Sequence, residues 1–373
     1  MDQDVIIVGA GPAGIACGIM LQKCGVPSLI LERQVFPREK LCGGLVTEKT
    51  YALVRGLFGG EPPAQLFTAI RKVALWDRTE RIACTELGTT LRITDRKAFD
   101  DALLQQYLAL GGRIRQGEAV RQLRAEAHVV VTDQGEYSYR YLVAADGCSS
   151  VLRRLCGKTL KDVGFCLETT APLDALRTDA DCVHVLFRYL RGGYSWIFPC
   201  RDSCKVGVGN NPSRRTPYRE SLDALRADFC TGSGTPVKGA CVPYGSCLKD
   251  PVYGDSVFFV GDAAGTADPL YGEGLYFACR SGMDAAAAIA GAAEGGAEKE
   301  YRERYAEIRT IIRRSRRIRK LLLTESGMKL LRRTCRKHPG AVRFFVDRQV
   351  SYYSFRGLLS AALAYRRRKR DGG

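Results

Sequence analysis

The sequence predicts an α/β fold: a discontinuous Rossmann-like nucleotide domain, an interleaved β-rich domain and a helical C-terminal segment. Three observations predict it. A run of β-branched residues at 5–8 enters a glycine-rich turn and then an apolar helical pattern. Two later apolar runs, 139–145 and 256–260, end on Asp146-Gly147 and Gly261-Asp262. Between them, residues 163–245 read as short strands with one helix near 217–230.

Val5-Ile6-Ile7-Val8 suits a strand buried on both faces of a parallel sheet. In Gly9-Ala10-Gly11-Pro12-Ala13-Gly14, Gly9 permits the tight turn. Gly11 lets backbone N–H groups approach a pyrophosphate, and Gly14 lets the new helix pack on the strand. The helix from about Pro12 aims its positive end at that phosphate. Ile15, Ile19 and Met20 give it an apolar face, and Gly25 stands where a C-cap belongs. A second strand, Ser28 to Leu31, ends on Glu32, an acid spaced to take a ribose 2′-hydroxyl. The whole unit predicts a dinucleotide site.

Residues 33–44 form a basic loop with Cys42, Gly43 and Gly44. Short antiparallel strands follow at 70–76, 81–86 and 89–93. Asp95 caps a helix from Arg96 to Leu110, which stops at Gly111-Gly112. Strands near 113–120, with Val120 at the end, and 127–132 lead through a hairpin turn at 133–135 to the buried strand Tyr139 to Ala145. Further strands are Cys182 to Tyr189, Tyr194 to Phe198 and Cys204 to Val208. After the strand Ser256 to Val260, Tyr271-Gly272-Glu273-Gly274 starts an alanine-rich helix to about residue 293. Residues 1–64, 94–162 and 250–296 then make the nucleotide domain, 65–93 and 163–249 the β-rich substrate layer, and 297–373 a basic helical segment.

The net charge of +17 is localised: residues 301–373 hold 22 Lys and Arg against 5 Asp and Glu. The preceding 300 residues balance. Fifteen cysteines form no C-x-x-C pair, which argues against a zinc or thioredoxin site. Free thiols at this density suit a reducing cytosol. No secretory signal is expected, since the first apolar run is the strand itself, and no window of 18 uninterrupted apolar residues is present. His128, His184 and His338 are scattered, so no metal site or triad is expected.

Three blocks in order resemble the FAD-dependent oxidoreductases of the aromatic-hydroxylase fold. They are the glycine loop, Asp146-Gly147-x-x-Ser150-x-x-Arg153, and Gly261-Asp262-Ala-Ala-Gly265 with Pro269-Leu-Tyr-Gly272-Glu-Gly274. Within that superfamily, Leu41-Cys42-Gly43-Gly44 and Tyr194-Ser-Trp196-Ile-Phe198-Pro199 are similar to the geranylgeranyl reductase family. The chain departs from that family's pattern at Arg191, where Pro is common, and at Cys200, where Lys is common. A tryptophan halogenase would show Trp-x-Trp-x-Ile-Pro instead. The resemblance implies FAD held by Gly9, Gly11, Ala13, Gly14, Glu32, Arg33, Cys42, Gly43, Arg96, Val120, Asp146, Asp262, Gly272, Gly274 and Leu275. Asp262 would take the ribityl chain, Arg96 a phosphate and the Val120 backbone the adenine. The helix after Gly274 would aim its N–H groups at the pyrimidine edge of the flavin, where reduced flavin is anionic.

The resemblance places Cys42 beside the isoalloxazine ring. Thiols titrate near about 8.5 in water and are mostly protonated at neutral pH, so Cys42 could donate the proton that completes alkene reduction. Tyr194, Trp196 and Phe198 alternate along a strand and share one face, an aromatic wall for a hydrophobic substrate or the flavin. The basic segment alternates cations with Phe344-Phe345-Val346, Tyr352-Tyr353 and Leu358-Leu359, a pattern for an anionic membrane surface. Nucleic acid is not expected. The expected protein is a cytoplasmic FAD-dependent reductase of double bonds in a polyprenyl or other lipid-like substrate, held at the membrane periphery, with hydride from flavin N5. NADPH or another small donor would reduce FAD, although no second complete glycine fingerprint is present. The alternatives are an FAD-dependent monooxygenase and a non-catalytic membrane-associated flavoprotein. Substrate identity, stereochemistry and oligomeric state stay open.

Overall fold

The structure, a computed structural model, describes residues 2–210, 216–232, 234–292, 296–338 and 340–347. In chain order the elements are β1 (Asp2–Val8), α1 (Pro12–Lys23), β2 (Ser28–Glu32), β3 (Leu45–Val46), α2 (Glu48–Phe58), β4 (Phe67–Asp77), β5 (Glu80–Thr94), α3 (Arg96–Ala109), β6 (Arg113–Gln116), β7 (Val120–Arg124), β8 (Val129–Thr132), β9 (Glu136–Ala144) and α4 (Val151–Leu155). The chain continues through β10 (Gly164–Pro172), β11 (Cys182–Phe187), β12 (Tyr194–Cys200), β13 (Ser203–Asn210), α5 (Tyr218–Phe229), β14 (Lys238–Val242), β15 (Val252–Tyr253) and β16 (Val257–Phe259). It ends in α6 (Gly261–Ala264), α7 (Leu275–Gly291), α8 (Ala297–Leu322), α9 (Glu325–Lys337) and α10 (Gly340–Asp347).

Two eight-stranded sheets organise these elements. The first runs β15-β16-β9-β1-β2-β6, with the β7–β8 hairpin attached beside β9. Its strands β16, β9, β1, β2 and β6 are mutually parallel, so the four apolar runs read from the sequence do share one sheet. β1 lies between β2 and β9, and the chain order reverses there. In open α/β sheets, ligands sit at the carboxyl ends of the strands at such a point. The second sheet runs β14-β10-β13-β12-β11-β4-β5-β3. It is antiparallel apart from the β4–β11 pair. Helix α5 packs on it through Leu222, Leu225 and Phe229.

Several elements differ from the sequence reading. The two strands expected over 81–93 are one strand, β5, whose pairing with β4 shifts register at 87–90, where Gly88 lies. Its N–H donates to the Asp347 carboxylate at 2.9 Å, so α10 covers the position that reads as a turn. The sequence reading contained neither β3 nor α2. Yet α2 has a Thr47 N-cap, a left-handed Gly59 C-cap and buried Thr50, Val54 and Leu57 at helical spacing. Val120 opens β7 and does not close a strand, because β6 stops at Gln116 and Gly117 (φ 72°) turns the chain. Helix α1 is buried on most of its surface and not on one apolar face, since it lies under α3 and α7 as well as the sheet.

The C-terminal segment is helical as far as it is described. On α8, Tyr301, Tyr305, Ile308, Ile312, Ser315 and Arg319 recur at helical spacing on the buried side. The expected burial of Tyr352, Tyr353, Leu358 and Leu359, and the cations at 365–370, lie outside the described residues; so do the Phe344 and Phe345 side chains. Among the described residues no helix is long and apolar enough to cross a membrane.

Candidate functional site

The first glycine loop has the geometry its spacing requires. Gly9 has φ 104°, and a Cβ there would meet the Ala145 carbonyl oxygen at 2.5 Å. A Cβ on Gly14 would lie 2.0 Å from the Gly9 oxygen, so this glycine serves helix-on-strand packing. Gly11 differs from both. A Cβ there would meet nothing nearer than Arg38, at 4.0 Å, so the fold itself leaves the space open. Glu32 accepts from Ala10 N–H at 2.7 Å and from Gln34 N–H at 2.9 Å, which fixes its carboxylate beside the loop.

The expected phosphate partner, Arg96, pairs within its own helix and also lines the cavity. It is buried, and its Nε and Nη2 donate to Asp100 at 2.7 and 2.8 Å. Arg38 stands closer to the glycine loop. Its guanidinium donates to the Ala10 carbonyl at 3.1 Å and reaches Asp100 at 3.4 Å, and its Nε is buried without a partner. That orphaned donor, above the open space at Gly11, fits an anionic group such as a pyrophosphate.

The second and third motifs meet in space. Asp146 accepts from Val151 and Leu152 N–H at 2.7 and 3.1 Å, and so caps α4, while its Oδ1 is buried without a partner. Arg153 donates to the Ala263 carbonyl at 3.1 Å and ties this motif to α6. Asp262, at the start of α6, opens on the same space. Burial raises its carboxyl above the usual carboxylate range, and Lys40, Arg96 and Arg153 pull the other way. A buried carboxylate of this kind gains from hydroxyl donors, which a ribityl chain carries. Glu273 pins the Gly272–Gly274 loop to α2: its carboxylate accepts from Thr47 Oγ1 and pairs with Lys49 Nζ, both at 2.6 Å.

The Cys42 loop lies on the aromatic strand. A Cβ on Gly43 would meet the Phe198 ring at 2.9 Å, and one on Gly272 (φ 66°) would meet the Tyr194 hydroxyl at 2.1 Å. Tyr194 donates to the Tyr271 carbonyl at 3.0 Å. Strand β12 therefore touches both glycine loops. The rings of Tyr194, Trp196 and Phe198 follow one another at 6.0 and 6.3 Å, as one wall. Trp196 Nε1 donates to Glu168 at 2.9 Å. Glu168, on β10, is buried, and its carboxyl also lies against the Cys42 N–H. Desolvation raises its titration above the usual range, with Lys205 opposing. Lys205 Nζ donates to the Cys42 carbonyl at 3.1 Å and the Thr94 carbonyl at 2.9 Å, and so fixes the loop from the other side.

All the residues expected to hold FAD or substrate except Gly14 line one cavity of about 930 Å³. This includes Cys42, Glu32, Arg33, Val120, Asp262, Leu275 and the three aromatic residues. The sequence reading missed Arg38, Glu168 and Lys205. Glu168 had a signal: it falls at a buried phase of β10, where an acid is out of place. Beyond the aromatic wall the cavity continues under the C-terminal helices, where Ile318, Leu322, Leu331 and Val342 line it. Among the described residues no cluster of His, Cys, Asp and Glu could hold a metal.

The model of the FAD binding domain family matches residues 2–315. Digeranylgeranylglycerophospholipid reductase 2 of Methanosphaera stadtmanae is 24% identical over 322 residues, covering 79% of this chain and 80% of that protein. Menaquinone reductase of Mycobacterium tuberculosis is 26% identical over 327 residues, covering 76% and 75%. The crystal structure of a geranylgeranyl bacteriochlorophyll reductase-like protein from Thermoplasma acidophilum superposes with a TM-score of 0.76 at 19% identity, covering 96% of this chain and 95% of that one. At that identity the superposition speaks for the fold.

Proposed function

The chain belongs to the FAD binding domain family, and on that premise we propose that it is an FAD-dependent reductase of carbon–carbon double bonds in a polyprenyl or other lipid-like substrate. One observation carries this reading. The glycine loops, Cys42 and the aromatic wall share a cavity whose far end is apolar. Relatives named for reduction of lipid-like molecules support it. With FAD bound, the site would have a hydride source for one alkene carbon, replenished by NADPH or another small donor. The chain's own residues do the rest. The glycine loops, Arg38 and Asp262 hold the cofactor. Tyr194, Trp196 and Phe198 give the alkene a dry wall. The Cys42 thiol gives its proton to the other carbon, and the thiolate regains one from solvent. Arg96 beside that sulfur steadies the transient negative charge.

The test is anaerobic reduction of the purified protein, followed by a candidate oxidant. Polyprenyl alcohols or phosphates should reoxidise the flavin without oxygen and gain two hydrogens per bond reduced. Reoxidation only by oxygen, with a hydroxylated product, would replace the reductase with a monooxygenase. Tight FAD binding with no turnover of any alkene would leave an electron or lipid carrier.

A further inference from the structure

We propose that the corner between α8 and α9 is the mouth of the cavity and docks on an anionic lipid bilayer, so that a lipid chain passes from the membrane to the aromatic wall without crossing water. The choice of a lipid chain rests on the function proposed above; the docking rests on the surface itself.

Leu321 lies in the last turn of α8 and Leu330 on α9, and they are 72% and 66% exposed. Single exposed leucines are ordinary on protein surfaces. These two also line the cavity, whereas the other large hydrophobics exposed among the described residues (Val35, Leu110, Leu155 and Tyr253) do not. Going inward, Ile318, Leu322 and Leu331 continue the same lining toward Val342. The path from the two leucines to the interior is thus mainly apolar, with Thr334 its one hydroxyl side chain among the described residues of these helices.

The charge around this corner is one-sided. Residues 313–337 hold eleven Lys and Arg and one acid, Glu325. Arg332 and Arg336 are paired with Asp77 and Glu80 on the neighbouring sheet. Arg317, Lys320, Lys329 and Arg333 are exposed, and none makes an ion pair among the described residues. Unpaired cations around exposed leucines match a surface that is anionic outside and apolar beneath. A second copy of this chain meeting this corner with its own corner would bring like charge to it, since the +17 is carried by residues 301–373. Nucleic acid would answer the cations but offer the leucines no apolar phase.

The test is co-sedimentation of the full chain with vesicles of phosphatidylcholine, with and without phosphatidylglycerol. The wild type should bind the anionic vesicles and leave the neutral ones. Binding should weaken and not vanish as the Debye length falls from about 10 Å at 0.1 M salt to about 3 Å at 1 M. The double variant Leu321→Ser/Leu330→Ser should keep its FAD content, since both side chains are exposed. Its partitioning should fall by at least about tenfold. Binding by the variant equal to wild type would overturn the proposal, because cations elsewhere would then suffice. Equal binding to both lipids, or leucine-dependent self-association on gel filtration, would overturn it too. The vesicle readout uses no turnover. A wild type that binds as described but reduces no alkene would defeat the reductase reading and leave the docking surface standing.

Discussion

Glu168 and Cys42 are 126 positions apart in the chain, yet the carboxyl of one lies against the backbone N–H of the other. The same carboxyl holds the Trp196 indole, so one buried acid sets both the thiol loop and the aromatic wall. Its ionisation carries a stability cost. Burial raises the folded-state titration above the ordinary value of 4.5, so the folded protein binds this proton more tightly than the unfolded chain. Stability from this group is therefore full below that value and is lost as the pH rises through the folded one. Glu168→Gln removes the dependence. Relative to wild type, the variant should gain stability as the pH rises above 4.5 in urea unfolding. A difference that does not change with pH would mean that the carboxyl is not buried as an acid. Cys42→Ala should keep FAD and flavin reduction and slow reoxidation by the alkene by roughly 10²–10⁴-fold, the usual contribution of a general acid. Unchanged single-turnover reoxidation would make Cys42 a structural residue. Cys42 and the aromatic wall were legible in the sequence because each lies within a few residues. Glu168 and Arg38 were not, since their partners come from other strands and loops.

At the scale of elements, α8 is the clamp on the turn that carries Asp262. Tyr301 is fully buried and donates to the Phe259 carbonyl at 2.6 Å, and Tyr305 donates to the Ala264 carbonyl at 2.8 Å. These carbonyls flank Asp262 on either side, at the end of β16 and the end of α6. Ala264 also accepts from Leu248 N–H at 3.0 Å, so it keeps a partner without Tyr305. Tyr305→Phe should therefore cost about 1 kcal/mol or less, and Tyr301→Phe about 1–3 kcal/mol, in urea unfolding. The reverse order would show that the Phe259 carbonyl is satisfied by another group. The helical character of this segment was legible from its charge and apolar spacing, but its docking on β16 and α6 was not. Periodicity says which face is buried and leaves open what it is buried against. β5 shows the same limit. Gly88 separates two strands in the sequence, yet in the fold it lies in an irregular stretch of one strand, where its N–H is taken by Asp347 of α10.

For the whole molecule, the parallel sheet, the β-rich sheet and the C-terminal helices enclose one cavity, and the motifs that would hold FAD come from its opposite sides. The glycine loop follows β1, the Cys42 loop lies on β12, and Asp262 sits on a turn clamped by α8. A ligand spanning these parts binds the folded chain and not the unfolded one. Its effect on stability then follows mass action: about 2.7 kcal/mol at a free concentration one hundred times the dissociation constant. Adding FAD to stripped protein should raise the midpoint of thermal unfolding by several degrees, and the rise should grow with the logarithm of FAD concentration. Gly11→Val separates the ligand from the fold. Beyond Gly11 and its chain neighbours, the nearest atom to the position its Cβ would take is the tip of Arg38, at 4.0 Å, so the apo variant should unfold close to apo wild type. The branched side chain would occupy the space left for the pyrophosphate, so added FAD should not shift the variant, and it should purify colourless. Gly14→Val is the contrast. Its Cβ meets the Gly9 oxygen at 2.0 Å, so the apo protein itself should be destabilised or fail to fold. A folded Gly11→Val protein that still gains the full wild-type shift from FAD would place the pyrophosphate away from this loop, and the cofactor site would have to be drawn elsewhere in the cavity.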